Sequence, residues 1–385
     1  MQAITFTNTY RRYQDKPIAI REAMCLQAQF PAVLVGIKDG DLLVGRIDRG
    51  LVGFSIDEWG QQAFGYYCLF AEIEQLLEDE ELHPSLKSQL RAVTDFWKTE
   101  HTAFKVREAY PRKMATALPS DDWMGSSGIA FPLYRLTGGN INYQKLLKLG
   151  IPGLFQEVEE KEKAAQVRGE KDLSFYKGLK IALQVFSDVC FYFADSIEKQ
   201  INEGIIVKRK AELRKLVNIL RRLPDHAPQG FYEAVQLFWL YALISDIRNH
   251  GRMDVYLGSF YVQDLKNGVL TKEEGIKILA SLWRLMAARN TVVHNRVIIG
   301  GVGRDNEADA DEFALLAMEA TRIVKETEPQ LSLRFYTGMD SRLMEKALST
   351  IGEGCTYPIL YNDDVNIEAI QKALKVDREE ALQYV

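Results

Sequence analysis

Beyond Thr291 the chain alternates short β-prone runs with helical ones, and this alternation narrows the possible folds more than any other feature. The runs are Arg296–Gly300 (RVIIG), Leu331–Tyr336 (LSLRFY) and Pro358–Tyr361 (PILY). Between them, Asp309–Lys325 and Met339–Ile351 carry apolar residues at helical spacings. The order is β-α-β-α-β. Strands separated by helices pair in parallel, with the helices as crossovers. An α/β fold with a parallel sheet in its second half is expected.

The rest of the chain reads as mainly helical. Phe175, Leu179, Leu183, Phe186, Cys190, Phe193 and Ile197 recur at spacings of three and four, which builds one apolar face along a long helix. A second helix is expected from Phe231 to about Ile247. A third starts at Thr271, which forms a capping box with Glu274. Val33–Arg46 is the best hairpin candidate, turning at Asp39-Gly40. Val158–Lys171, rich in Glu and Lys, reads as a surface helix and loop. No repeat or Pro/Gly/Ser linker divides the chain.

Charge and cysteine usage exclude several classes. The formal net charge is −5 and the basic residues are interleaved with acids, so no nucleic-acid surface is expected. The most apolar stretch, Phe231–Ile247, is too short to span a bilayer, so no membrane partner is expected. Cys25, Cys68, Cys190 and Cys355 are far apart, with no histidine partners at zinc spacing, so no metal site is expected. Met1–Arg12 has no apolar signal region. A cytoplasmic protein is expected, and Cys190, inside the apolar stripe, reads as core.

Three local constellations have chemical potential. Gly300-Gly301-Val302-Gly303 follows a strand, but it lacks the Lys-Ser/Thr of a phosphate loop and reads better as a tight turn. His250 precedes Gly251-Arg252-Met253-Asp254, where Arg252 and Asp254 straddle a glycine turn. An arginine fork can clamp a substrate carboxylate, and an aspartate can orient a hydroxyl or ammonium. An internal Arg–Asp clamp that fixes a helix start is the open alternative. Asn362-Asp363-Asp364 lies beyond the third strand, where α/β folds place chemistry, and Asp363 or Asp364 reads equally as the N-cap of a helix starting near Val365.

Several blocks, in order, resemble glycyl radical enzymes of the pyruvate formate-lyase superfamily. Phe231–Trp239 (FYEAVQLFW) resembles their F-x-E-A-L-Q-x-x-W segment. Gly251–Leu257, Phe260-Tyr261 and Asp264–Thr271 resemble G-R-x-D-x-Y followed by Y-x-x-D-L-x-x-G-x-[IL]-T. Pro329–Arg334 resembles P-x-L-x-x-R, and Pro358–Asp363 resembles P-x-x-x-N-D. Upstream, Thr137-Gly138-Gly139 with Tyr143, Leu147, Gly150 and Gly153 resembles T-G-H and G-x-x-G. Lys16–Ala23 and Leu42–Gly45 resemble R-x-A and E-L-x-V-G.

The resemblance implies the helix-rich N-terminal half of a ten-stranded α/β barrel built from two five-stranded halves. Residues 1–228 would form a mainly helical region and 229–385 the first half of the barrel. It implies radical C–C, C–O, C–N or C–S bond cleavage on a small polar metabolite. No cofactor would be bound. The glycyl radical would be installed by a partner radical-SAM iron–sulfur activase, and the complete protein would be a homodimer. The thiyl cysteine of the family follows a short helix after the N-D strand. Here that helix is Asp377–Gln383, so the thiyl cysteine and the radical glycine are expected beyond Val385, with no catalytic residue in this chain. Cys355 precedes the N-D strand and is not that cysteine.

Arg252, Asp254, Arg334, Asn362 and Asp363 are the substrate-binding candidates, with His250 and Trp123 behind them. Gly139 stands where many relatives have histidine, and Asp246–His250 is short where many carry a polar insert; neither a glycerol-type nor a choline-type pocket is expected. The G-R-T of pyruvate formate-lyase proper is also missing. The competing expectation is a non-catalytic half-barrel that binds a partner chain.

Overall fold

A computed structural model describes residues 1–54, 65–109, 141–204, 209–289 and 295–384. Trp123 and Thr137-Gly138-Gly139 lie outside these residues. The chain divides into two compact units. One comprises Met1–Val35, Ile47–Gly138 and Phe155–Tyr192, and the other Gly36–Arg46, Gly139–Leu154 and Phe193–Val385.

The first unit is built on helices Gln2–Tyr13, Ile18–Gln29 and Pro84–Glu100, with strands β3 (Val52–Phe54) and β4 (Tyr66–Cys68) paired antiparallel. Phe6, Tyr10, Tyr66, Phe96 and Trp97 stack in its core, and Trp97 donates its indole N–H to Thr7 at 2.8 Å. Arg21 lies over the Tyr10 and Tyr66 rings. The long apolar stripe falls on helix Ser174–Asn202. Phe186, Cys190, Phe193 and Ile197 are buried as the spacing predicts, but Phe175, at its first turn, is exposed. The close approach in that turn belongs to Gly178, which lies against the Ala19 carbonyl.

The second unit carries the parallel sheet. Strands β5 (Asn249–Arg252), β6 (Arg296–Gly300), β7 (Gln330–Phe335) and β8 (Ile359–Asn362) lie side by side in sequence order, all parallel. The last three match the sequence expectation to within a residue at each end. The connecting helices are Met253–Lys266, Lys272–Ala287, Glu307–Val324 and Ser341–Gly352. Helices Met253–Lys266 and Glu307–Val324 pack against β6 and against each other. Val297, Ile299, Leu331 and Leu333, at alternate positions, are fully buried. Thr271 and Glu274 form the expected capping box, with Glu274 N–H to Thr271 Oγ1 at 3.2 Å and Thr271 N–H to Glu274 Oε2 at 2.8 Å.

Two sequence expectations change. The Asn249–Arg252 segment, read as a glycine turn, is a strand. Its register slips between Asn249 and Gly251, and Gly251 takes φ +60, so a bulge at His250 hides the β pattern. The Val33–Arg46 hairpin is the second correction. Asp39-Gly40 does turn, with Asp41 N–H to the Lys38 carbonyl at 3.2 Å, but the strands are only β1 (Leu34–Val35) and β2 (Arg46–Ile47).

Leu42–Gly45 meets side chains instead of a partner strand. Gln236 on helix Phe231–Ile244 accepts from Val44 N–H at 3.0 Å and donates to the Val44 carbonyl at 3.1 Å. Its amide thus replaces one residue of a β ladder. Trp239 donates to the Gly45 carbonyl at 2.9 Å, Tyr232 donates to the Leu42 carbonyl, and Ser281 accepts from Leu42 N–H at 2.9 Å. Gly45 has φ +125, and a Cβ there would sit 2.4 Å from Trp239 Nε1.

Candidate functional site

The C-terminal ends of β5 to β8 converge on the loop that follows β6, residues 300–304. Gly300, Gly301 and Gly303 all have positive φ. A Cβ on Gly300 would lie 2.4 Å from the Arg334 carbonyl, and one on Gly301 would lie 2.8 Å from Asp363 Oδ2. Only glycine lets β6 and β7 approach this closely.

Each strand end sends a charged side chain to this loop. Arg252, at the end of β5, donates to the carbonyls of Gly300 (2.8 Å) and Val302 (3.2 Å). Asp254, in the first turn of helix Met253–Lys266, accepts from Gly300 N–H at 2.7 Å and Arg304 Nη1 at 3.2 Å. Arg334 on β7 forms a two-pronged pair with Asp363, both contacts at 2.8 Å. Asp363 also accepts from Val302 N–H at 2.9 Å. The protein's own carboxylates thus occupy the Gly300 and Val302 N–H groups, which a bound anion would otherwise use. Asn362 caps helix Asp363–Leu374, accepting from Asp364 N–H at 3.0 Å. This corrects the sequence expectation: the N-cap is Asn362, and Asp363 and Asp364 are the first two residues of the helix.

The sequence reading missed Arg304. It is buried, pairs with Asp311 at 2.6 Å as well as with Asp254, and donates Nε to the Gly301 carbonyl at 3.0 Å. The available signal was an arginine directly after a glycine-rich strand end. Asp254 is fully buried, and burial pushes its carboxyl up to about 6 against the opposing pull of Arg304 and Arg252. Burial likewise lowers Arg252.

The sign of that shift gives a test. A carboxyl raised in the folded state binds more protons folded than unfolded between about pH 4 and 6. Its contribution is therefore greatest below the unfolded value and falls as pH rises through that window. Relative to Asp254→Asn, which does not titrate, the native chain should lose about 2 kcal/mol between pH 4 and pH 7, read by urea unfolding. A relative stability that rises with pH would mean that Arg304 outweighs burial.

His250 stands apart from this cluster. It is fully buried at the β5 bulge, edge-on to Phe238 at 5.2 Å. Asn295 gives its amide N–H to Glu328, which leaves its oxygen facing His250 Nε2 at 3.3 Å. Nε2 is thus the protonated nitrogen by this network. Burial pushes His250 down to about 3, so the ring stays neutral at physiological pH. Nearby, Arg248 and Arg289 converge on Asp246.

The opposite set of strand residues faces a cleft of about 630 Å³. Arg296, Ile298, Gln330, Ser332, Arg334, Ile359 and Tyr361 line it from the sheet, and Asn366, Ala369, Ile370 and Tyr384 complete the lining. Of the six sequence candidates among the described residues, Arg334 alone lines this cleft. All four cysteines are buried and none lines it. Cys355 Sγ lies 4.0 Å from the Thr321 carbonyl. Among the described residues no group of side chains could hold a metal ion, and no helix is long and apolar enough to cross a membrane.

A family model described as pyruvate formate lyase-like matches residues 1–385. The chain is 24% identical to a probable dehydratase, YbiW, of Escherichia coli strain K12, over 98% of this chain and 50% of that protein. It is 22% identical to an isethionate sulfite-lyase of Oleidesulfovibrio alaskensis, over 100% of this chain and 50% of the relative. Among solved structures, a glycyl radical enzyme from Archaeoglobus fulgidus superposes with a TM-score of 0.76 at 22% identity, over 99% of this chain and 51% of that one. The glycerol-bound B12-independent glycerol dehydratase from Clostridium butyricum gives 0.74 at 20% identity, over 99% and 50%. The structural likenesses concern the fold. The chain spans about half the length of the curated relatives it matches.

Proposed function

The chain belongs to the pyruvate formate lyase-like family, and we propose on that premise that it is the front half of a glycyl radical lyase or dehydratase acting on a small polar molecule. The observation that carries this reading is the sheet β5–β8, parallel, in unbroken sequence order, with one face turned to a cleft. All-parallel sheets are ordinarily covered on both faces. A second half-barrel supplied by further polypeptide would complete the cover. The dehydratase and sulfite-lyase names of the relatives support the reaction class.

A glycyl radical, installed by a radical-SAM iron–sulfur activase, would supply hydrogen abstraction. This chain's thiols are poorly placed to relay it, because all four are buried and none lines the cleft. No radical step is therefore drawn through its residues. Their part is positional. Arg252, Asp254, Arg304 and Asp363 hold the loop beyond β6, and Arg334 ties that loop to the cleft wall. A water-poor barrel interior protects a carbon-centred radical.

A second reading, a non-catalytic half-barrel that docks a partner, is favoured by Ile359 and Tyr361 on the terminal strand β8, 40% and 46% exposed. Native mass spectrometry of the protein from its own cells separates the two. The enzyme reading expects this sequence in one polypeptide, or one tight complex, of about twice its 43.9 kDa per copy. A stable 43.9 kDa species with no complementing partner would end it.

A further inference from the structure

We propose that the cleft takes a small molecule bearing an oxyanion, a carboxylate or sulfonate, and that Arg296 is its anchor. This rests on reading the cleft as the substrate site and adds the chemistry of the substrate. Two arginines line the cleft and no carboxylate does. Arg334 is already neutralised by Asp363. Arg296 makes no ion pair among the described residues and its side chain is exposed at the first position of β6. The surplus charge of the wall is therefore that of Arg296, and a guanidinium binds carboxylate or sulfonate oxygens through parallel N–H groups.

The strand register fixes how such a molecule would lie. Arg296 sits opposite Gln330. One step along, Ile298, Ser332 and Ile359 form the next row across the sheet, and Arg334 and Tyr361 form the row after that. Same-face rows are two residues apart, about 7 Å, so Arg296 and Arg334 are separated by about 13 Å along the strands. One small anion cannot bridge both. Its head lies at Arg296 and Gln330. Its carbon chain crosses Ile298 and Ile359, which offer apolar contact, and Ser332, whose hydroxyl meets a polar substituent. Tyr361 and Arg334 bound the far end. The site therefore suits a short hydroxylated acid rather than a neutral polyol.

The test compares 3-hydroxypropanoate with 1,3-propanediol, which differ only at the head, by ligand-observed NMR at low salt on the native assembly that contains this chain. The anion should bind at least about tenfold more tightly than the diol, the scale of a charge-assisted hydrogen bond. Arg296→Gln should abolish the preference and leave diol binding unchanged, and Arg296→Lys should restore part of it. Lys215→Gln, away from the cleft, should change nothing. Equal binding of the two probes, binding of neither, or a preference that survives Arg296→Gln would overturn the proposal. Radical turnover of a neutral substrate by the complete assembly would remove this inference and leave the enzyme reading intact. Anion binding without radical chemistry would do the reverse.

Discussion

Asp363→Ala should destabilise the parallel sheet by about 3–5 kcal/mol, the cost of removing one partner of a buried pair. Asp363 is fully buried and accepts three hydrogen bonds, two from Arg334 and one from Val302 N–H. Alanine leaves the Arg334 guanidinium, itself 7% exposed as a residue, without that carboxylate, and leaves Val302 N–H without its acceptor. Hydrogen exchange of the β6 and β7 amides reads the opening free energy of this element directly. The control is the double substitution Arg334→Met with Asp363→Leu. Removing both charges at similar volume is often neutral, so it should recover the part of the loss due to the stranded guanidinium and leave that due to Val302 N–H, about 1–3 kcal/mol. A loss below about 1 kcal/mol in the single variant would show that the pair does not hold the strand ends.

The second large effect is expected far from the loop. Gln236→Leu keeps the helix and the approximate volume, but it orphans both backbone groups of Val44. Each buried unsatisfied group costs about 1–3 kcal/mol, so a total of about 2–6 kcal/mol is expected in urea unfolding. The Val44 amide should also lose its exchange protection. Gln236→Glu separates packing from bonding: it can accept from Val44 N–H but, when ionised, cannot donate to the Val44 carbonyl, so its loss should also be large. If the leucine variant matched the native chain, Leu42–Gly45 would have to be held by Trp239, Tyr232 and Ser281 alone.

These two sites show what the sequence carried. Helix periodicity and the Thr271–Glu274 capping box were legible because both are local. The strands β6, β7 and β8 were legible because short apolar or alternating runs lie between glycine and proline signals. The strand β5 was not, because four residues broken by a bulge carry no period. Leu42-Leu43-Val44 read as a strand because buried backbone looks alike whether a neighbouring strand or a glutamine amide satisfies it. The candidate residues Arg252, Asp254, Arg334 and Asp363 do come together. Their partners are backbone groups of a glycine loop and one another, and sequence spacing does not encode that choice. Arg304 escaped for the same reason. Arg296 escaped because a charge at a strand's first residue reads as solvated until the register places it on the cleft wall.

The loop also shows how family-like blocks that are remote in sequence depend on each other. The G-R-x-D block, the glycine loop, the P-x-L-x-x-R strand and the N-D strand end supply one buried polar network. The F-x-E-A-V-Q-x-x-W helix holds the L-x-V-G segment in the same way. A substitution in one block should therefore be felt in its partner, and a double-mutant cycle between Asp254 and Arg304 should show coupling on the order of 1–3 kcal/mol.

The most direct measurement is electron paramagnetic resonance on the native assembly, purified without oxygen and treated with a radical-SAM activating enzyme. A front half of a glycyl radical enzyme should be recovered with an organic glycyl radical signal that disappears on exposure to air, together with cleavage of the polypeptide that carries it. An assembly that contains this chain, folds, and gives no such signal after activation would contradict the reading and leave the half-barrel as a docking protein.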